Sequence, residues 1–319
     1  MDWPRIVVLS GGVGGAKLVR GLYRALPPHA LAAIVNTGDD FTHLGLRISP
    51  DIDTVLYTLA ELAHPGQGWG RSDETWNFMA ALESVGGETW FRLGDRDLAL
   101  HVERTRRLAQ GDTLSAIVGG FAKSFGIAAQ ILPMSDDAVE TRVLTPDGEL
   151  AFQDYFVRQR CTPAVQGLRF DGADIARLSD GARTALASPA LEAILIAPSN
   201  PWLSVDPLLA IPELRRALET ANVPRIAVTP ILGGQAVKGP TAKIMGELGV
   251  PVSAHTIAQH YKGLIDGFLL DSRDTELAST FDIPVAIADT LMKTAADCER
   301  VAQATLAFVR HWDGRRHSR

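Results

Sequence analysis

The stretch Ile6-Val7-Val8-Leu9-Ser10-Gly11-Gly12-Val13-Gly14-Gly15-Ala16-Lys17 decides how the chain is read. Ile6 to Leu9 is a continuous apolar run, the pattern of a strand buried on both faces. The glycines Gly11, Gly12, Gly14 and Gly15 follow, and a helical pattern then runs from Ala16 to Leu26, where Pro27 and Pro28 stop it. A second apolar run, Leu31 to Asn36, completes a strand–helix–strand unit whose crossover implies parallel strands. Missing β-carbons let backbone N–H groups come close to a phosphate, and the helix N-terminus adds a favourable dipole. Gly11, Gly12, Gly14, Gly15 and Lys17 are therefore candidate nucleotide or diphosphate contacts. The loop fits neither of two well-known patterns. A GxGxxG fingerprint starting at Gly12 needs glycine where Lys17 stands, and a P-loop needs Gly-Lys-Ser/Thr where the chain reads Ala16-Lys17-Leu18. Neither NAD binding nor P-loop chemistry follows.

The C-terminal half repeats this grammar. Strands are expected at Glu192 to Ala197, Arg225 to Thr229, Gly267 to Leu270 and Val285 to Ala288. Helices are expected at Glu213 to Ala221, Thr241 to Leu248 and Thr294 to Arg310. The middle differs. Asp53 to Ala63, Glu74 to Val85, Ala99 to Gln110 and Thr113 to Phe125 read as four helices with no buried strand between them. Val139 to Leu144 and Leu150 to Val157 flank a Pro146-Asp147-Gly148 turn and read as a hairpin. The expected architecture is thus an α/β core, residues 1–54 and 191–319, with a mostly parallel sheet. A helical and hairpin insertion, residues 55–190, splits it.

Thr37-Gly38-Asp39-Asp40 lies just past the second strand, at the sheet edge where doubly wound proteins bind ligands. Ser49-Pro50-Asp51-Ile52-Asp53-Thr54 follows, so Asp39, Asp40, Asp51 and Asp53 gather near that edge. Oxygen-only ligands suit a hard divalent ion such as Mg2+, which would also take diphosphate oxygens and water. Asp51 or Asp53 could instead cap the helix that follows. His43 reads as a loop hydrogen-bonder. In Leu93-Gly94-Asp95-Arg96-Asp97, Asp95 or Asp97 could cap a helix, while Arg96 offers a fork to a phosphate or polar ligand edge. Pro198-Ser199-Asn200-Pro201 follows a buried strand and suits a base or ribose contact through Ser199 and Asn200, or a plain turn. Trp69, Trp76, Trp90, Phe78 and Phe91 in the insertion read as core, with one or two free to stack on a flat ring. Asp136 and Asp137 form a further acidic pair, read as structural.

Composition narrows the class. The chain has 319 residues and a net charge of −6, without the basic face of a nucleic-acid binder; its one basic cluster, Arg315, Arg316 and Arg319, sits in the tail. No apolar stretch is long enough for a membrane span, and the N-terminal run is too short for a secretory signal, so a cytoplasmic location is expected. Cys161 and Cys298 have no CxxC partner and are expected as thiols.

Taken together, residues 10–17, Val35-Asn36-Thr37-Gly38-Asp39-Asp40, residues 49–54, residues 93–97, Leu132-Pro133-Met134-Ser135-Asp136-Asp137 and Ala197-Pro198-Ser199-Asn200-Pro201 resemble the 2-phospho-L-lactate transferase family, in the right order along nearly the whole chain. The resemblance implies a Rossmann-like core, a helical insertion, a divalent metal (Mg2+) and often a homodimer. It implies an acceptor, the deazaflavin Fo with its ribityl chain, and a donor in which a small acid is linked to guanosine diphosphate, with GMP leaving, in coenzyme F-420 biosynthesis. By the same resemblance Asp53 and Arg96 would contact Fo, with Asp51 as an alternative to Asp53. The glycine loop, Ser199 and Asn200 would serve the nucleotide. Asp39, Asp51 and Asp53 would hold the metal, and Asp53, with Asp51, would be catalytic. A related family of gluconeogenesis factors holds a nucleotide sugar in a similar loop without known catalysis and supplies the rival reading. A nicotinamide dehydrogenase is a second rival, weakened by the incomplete fingerprint.

Overall fold

The computed structural model describes residues 4–66, 68, 70–237 and 239–312. Trp69 and the basic cluster Arg315, Arg316 and Arg319 lie outside the described residues. In chain order the core opens with β1 (Ile6–Ser10), α1 (Gly12–Ala25) and β2 (Leu31–Val35). A small hairpin, β3 (Phe41–His43) and β4 (Leu46–Ile48), leads into α2 (Pro50–Leu59). Three helices follow: α3 (Asn77–Ser84), α4 (Asp95–Ala109) and α5 (Leu114–Ser124). Then come β5 (Gln130–Pro133), β6 (Glu140–Thr145), β7 (Gly148–Ala151), β8 (Gly167–Asp171) and α6 (Asp180–Leu186). The C-terminal part contains β9 (Ala193–Ile196), α7 (Asp206–Leu209), α8 (Pro212–Glu219) and β10 (Arg225–Val228). A short hairpin, β11 (Ile231–Leu232) and β12 (Gln235–Ala236), precedes α9 (Thr241–Glu247) and α10 (Ala254–His260). The described chain closes with β13 (Gly267–Asp271), β14 (Val285–Ala288) and α11 (Ala295–Arg310).

Seven strands form one sheet in the order β14-β13-β10-β9-β1-β2-β5, and every neighbouring pair is parallel. The order runs outward in both directions from β1, so the switch point falls between β1 and β9, which pair Leu9 with Ile196. This is the doubly wound, Rossmann-like arrangement, and its switch point opens the crevice in which such sheets bind ligands. Alternation along the strands sends Val7, Leu9, Ile34 and Ile196 to one core, packed with Leu203, Leu208, Leu214 and Ile257. It sends Ile6, Val8, Leu31 and Val35 to the other, packed with Leu18, Leu22, Val301 and Leu306. Both faces are covered, which is why these strands read as unbroken apolar runs. Among the described residues no helix is long and apolar enough to cross a membrane.

Two sequence expectations change. The segment 55–190 contains β5, which pairs with β2 at the edge of the main sheet, so this stretch is not wholly outside the core. Its burial alternates (Ile131 and Pro133 in, Gln130 and Leu132 half out), so the apolar run is too broken to read as a central strand. The hairpin β6–β7 forms around Pro146-Asp147, but β7 ends at Ala151, and β8 pairs with β6 as an unforeseen third strand.

Candidate active site

Helix α1 starts one residue into the glycine run, at Gly12, and no side chain of its own caps it. The missing acceptor comes from α2: Asp51 Oδ1 takes the Gly12 amide at 2.8 Å. The loop after β9 presses on the same turn. Ser199 Oγ accepts from the Gly11 amide at 3.2 Å and donates to the Gly11 carbonyl at 2.7 Å. A β-carbon on Gly14 would stand 2.4 Å from the Pro198 carbonyl oxygen, so only glycine lets the two turns meet. Gly12 has φ +62, the left-handed region that favours glycine. The amides of Val13 and Gly14, in the first turn of α1, have no helical carbonyl to bind and lie at the wall of a cleft.

That cleft has a volume of about 1040 Å3. Of the nucleotide, metal and catalytic candidates from the sequence, it is lined by Gly11, Gly12, Gly14, Lys17, Asp39, Asp51, Asp53, Ser199 and Asn200. Gly15 lies beneath the wall, where an added β-carbon would fall 2.6 Å from Ser199 Oγ. Lys17 Nζ donates to the Met292 carbonyl at 2.5 Å. Asn200 is engaged within the protein: its Oδ1 caps the amides of Trp202 and Leu203, and its Nδ2 donates to Thr241 Oγ1 at 3.0 Å. Arg96 is not part of the lining; it is exposed, and its amide binds Glu74.

The four aspartates fall into two pairs. Asn36 ties Asp51 to the carboxylate loop, donating to Asp51 Oδ2 at 3.0 Å while its own Oδ1 accepts from the Gly38 amide at 2.8 Å. Asp39 and Asp51 are both buried at the cleft wall. Burial first, and then the Asp51 charge, pushes Asp39 well above the ordinary carboxylate range. Burial raises Asp51 to about 6 against the Gly12 and Asn36 hydrogen bonds. Two desolvated carboxylates of this kind form an incomplete charge set, which a hard cation would complete. Asp40 and Asp53 belong to a second, buried group. Asp40 accepts from Ser49 Oγ at 2.6 Å, and desolvation lifts it to about 7.

Asp53 pairs with the fully buried Arg104, and His101 Nδ1 stands 3.7 Å from its other oxygen. Desolvation nevertheless outweighs the pull of these neighbours and holds Asp53 above its usual range, and among the described residues Asp53 Oδ2 accepts no hydrogen bond. His101 Nε2 lies 3.2 Å from Asp97 Oδ2, and Tyr57 donates its hydroxyl to Asp97 Oδ1 at 2.5 Å. Burial, then the charges of Asp53 and Asp97, keeps the Tyr57 phenol protonated. Among the described residues no three His, Cys, Asp or Glu side chains converge to hold a metal ion, so Asp39, Asp51 and Asp53 do not form one ligand set. Asp39 and Asp51 fit the one or two carboxylates that Mg2+ takes beside phosphate oxygens.

Several expectations about caps also change. Ser49 and Gly94, not aspartates, occupy the N-cap positions of α2 and α4. Asp95 instead caps the neighbouring α3, binding the amides of Asn77 and Phe78 and the hydroxyl of Thr75. These hydrogen bonds, that of Thr75 foremost, hold Asp95 at about 2. Asp136 and Asp137 accept from the amides of Ser115 and Arg177, which is structural work. His43 sits on β3 with its ring edge-on to Trp90, 4.9 Å between centroids. Tyr57, Asp97, His101 and Arg104 were not foreseen as a set. Their signal was present as a polar stripe at helical spacing, Asp97, His101 and Arg104, on an otherwise surface-like helix.

Aromatic side chains also line the cleft: Trp76, Trp90, Phe91, Phe152 and Phe156. Arg92 lies 4.2 Å over the Trp76 ring and Arg158 4.5 Å over Trp90. The cleft lining therefore combines backbone amides and acids with flat apolar faces.

The profile of the 2-phospho-L-lactate transferase CofD family matches residues 6–309. The chain is 38% identical to a phosphoenolpyruvate transferase of Kitasatospora aureofaciens, over 96% of this chain and 99% of that protein. It is 42% identical to a phosphoenolpyruvate transferase of Streptomyces avermitilis, with the same coverage of both. It is 36% identical to a 2-phospho-L-lactate transferase of Methanocaldococcus jannaschii, over 95% of this chain and 97% of that one. Among solved structures, a UPF0052 family protein of Bacillus halodurans shares the fold at TM-score 0.61 and 15% identity, covering 96% of this chain and 99% of that one. Similarity of this extent across the whole core and its helical insertion makes the chain a member of the 2-phospho-L-lactate transferase family of transferases.

Proposed function

We propose that this transferase moves a phospho-acid unit from a guanosine diphosphate-linked donor to the terminal ribityl hydroxyl of Fo, releasing GMP, in coenzyme F-420 biosynthesis. One observation carries the reading: the Gly12 amide and the Asp51 carboxylate are hydrogen-bonded to each other at the wall of a single cleft, so phosphate grip and acid site are one surface. The aromatic residues that line the same cleft suit a flat deazaflavin, and its volume of about 1040 Å3 is at the upper end of that of small-molecule sites.

In this reading the amides of Val13 and Gly14 hold the diphosphate. Asp39 and Asp51 would hold Mg2+, which when bound neutralises charge on the diphosphate. The ribityl oxygen attacks the phosphorus that carries the acid, the bond from that phosphorus to the GMP oxygen breaks, and GMP departs in line. Asp53, with Oδ2 unengaged and its carboxyl above the usual range, orients the hydroxyl and takes its proton. Ser199 and Asn200 act on the nucleotide by fixing the turn that abuts the glycine loop. Arg96 would reach Fo only with a change of its exposed side chain.

The test is incubation with Fo, Mg2+ and donors carrying lactate, enolpyruvate or a phosphoglycerate-derived acid, with the product weighed by mass spectrometry. A product heavier than Fo by one phospho-acid unit is expected from at least one donor. Absence of product from all of them, with deazaflavin fluorescence unchanged on mixing, would overturn the proposal.

A further inference from the structure

The cleft wall carries a cation that pairs with no acid among the described residues. Arg71 lies on the segment between α2 and α3, and its guanidinium carbon stands 5.6 Å above the centre of the Tyr57 ring. Its Nε is buried and has no hydrogen-bond partner, and among the described residues Arg71 makes no ion pair. Among the described residues none of the acids that line the cleft, Asp73 included, forms an ion pair with Arg71. Asp53 is held by Arg104, and Asp97 by Tyr57 and His101. Glu74 takes the amides of Arg96 and Asp97, at 2.8 and 2.9 Å. A buried, unsatisfied guanidinium N–H is costly unless a ligand completes it.

The backbone that carries Arg71 is fixed. Arg71 forms a β-bridge with Ala63, flanked by the hydrogen bonds from the His64 amide to the Gly70 carbonyl and from the Ser72 amide to the Leu62 carbonyl. This clasp fastens the segment to the end of α2. Tyr57 follows Asp53 by one turn on α2, about 6 Å along the helix, and both residues line the cleft. The guanidinium thus lies beside the ring of the residue one helical turn after Asp53, and both Arg71 and Asp53 line the same cleft.

We infer that Arg71 is a specificity-determining residue that binds the carboxylate of the acid being transferred. The inference rests on the proposed transfer reaction and names what that site selects: a phosphorylated small acid rather than a phosphorylated alcohol. Guanidinium and carboxylate match as a planar, two-bonded pair, a geometry an ammonium cannot reproduce.

The test compares wild type with Arg71→Met and Arg71→Lys. Each is assayed for transfer from a carboxylated donor, for Fo binding by fluorescence and for GDP binding by calorimetry. The expected result is a fall of about 10- to 100-fold in kcat/KM for the donor in Arg71→Met, the size of a charge-assisted pair. Partial rescue in Arg71→Lys is expected, with Fo and GDP affinities unchanged. A calorimetric comparison independent of turnover uses phosphoenolpyruvate and ethyl phosphate with Mg2+ and GMP present. Wild type should favour the carboxylated ligand, and Arg71→Met should lose that preference. If wild type transfers but Arg71→Met keeps its donor kcat/KM, or loses Fo affinity instead, Arg71 does not read the acid. If wild type transfers from no donor, the reaction itself is wrong and this assignment falls with it.

Discussion

At Asp51 two demands meet on one carboxylate. It supplies the acceptor for the first amide of α1, and it crowds Asp39 in a desolvated wall. Its folded pKa of about 6 lies above the ordinary value of 3.8, so between those values the folded protein holds more protons than the unfolded chain. Stability of the ligand-free protein should therefore decline as pH rises from about 4 through about 6. Asp51→Asn should make that decline shallower in thermal melts taken across the range, leaving the part due to the raised Asp39 and Asp40, while transfer drops by a factor of 100 or more, on the order of lost electrostatic stabilisation at a reacting phosphate. Retention of turnover near wild type would remove Asp51 from the site. Glycine substitutions separate two kinds of cost. Gly14→Ala meets the Pro198 carbonyl and should cost about 1–3 kcal/mol. Gly12→Ala has room, with Ser204 Oγ 3.6 Å from the added carbon, and should cost about 1 kcal/mol through its positive φ alone. Urea titration of the two variants distinguishes them.

Helices α2 and α4 are joined by charge inside the protein. Asp53 on α2 meets Arg104 and His101 on α4, and Tyr57 meets Asp97. Arg104 is fully buried, and it also offsets the charge of Asp40. Arg104→Leu would leave those carboxylates desolvated without a cation, so a loss of about 3–5 kcal/mol is expected by chemical denaturation. Asp53→Asn with Arg104→Leu should recover part of that loss, since it removes the stranded charge, and a simple sum of the two single effects would show the pair to be uncoupled. The sequence displayed this contact only in part. Asp53 stood in an evident motif, whereas Arg104 sat among several arginines on a helix with a largely polar surface. Helical spacing places Asp97, His101 and Arg104 on one stripe, but nothing local says that the stripe faces α2 rather than water.

Across the molecule, the crevice between β1 and β9 gathers the glycine turn, the acidic start of α2 and the loop after β9, while the segments before and after α3, with the stretch after β7, bring the aromatic residues and Arg71. Amides of β1, β2 and β9, such as those of Leu9, Ile34 and Ile196, should exchange hydrogen most slowly, since they are paired on both sides and buried under both helical layers. Exchange at residues 60–66 and 70–76 should be faster than in those strands and should slow when a carboxylated donor binds; unchanged exchange there on binding would mean the clasp around Arg71 is not part of the donor site. By itself the sequence determined the doubly wound core, the glycine turn between β1 and α1 and the family, because apolar runs, glycine spacing and motif order are local properties that the fold must respect. Tertiary structure alone decided which acids share a wall. Asp51 and Asp53 are two residues apart on a helix, about 200° around its axis. One therefore meets the glycine turn and Asn36 while the other is committed to a buried arginine on a helix some fifty residues later. Direction around a helix can be read from sequence, but what waits on each side of it cannot.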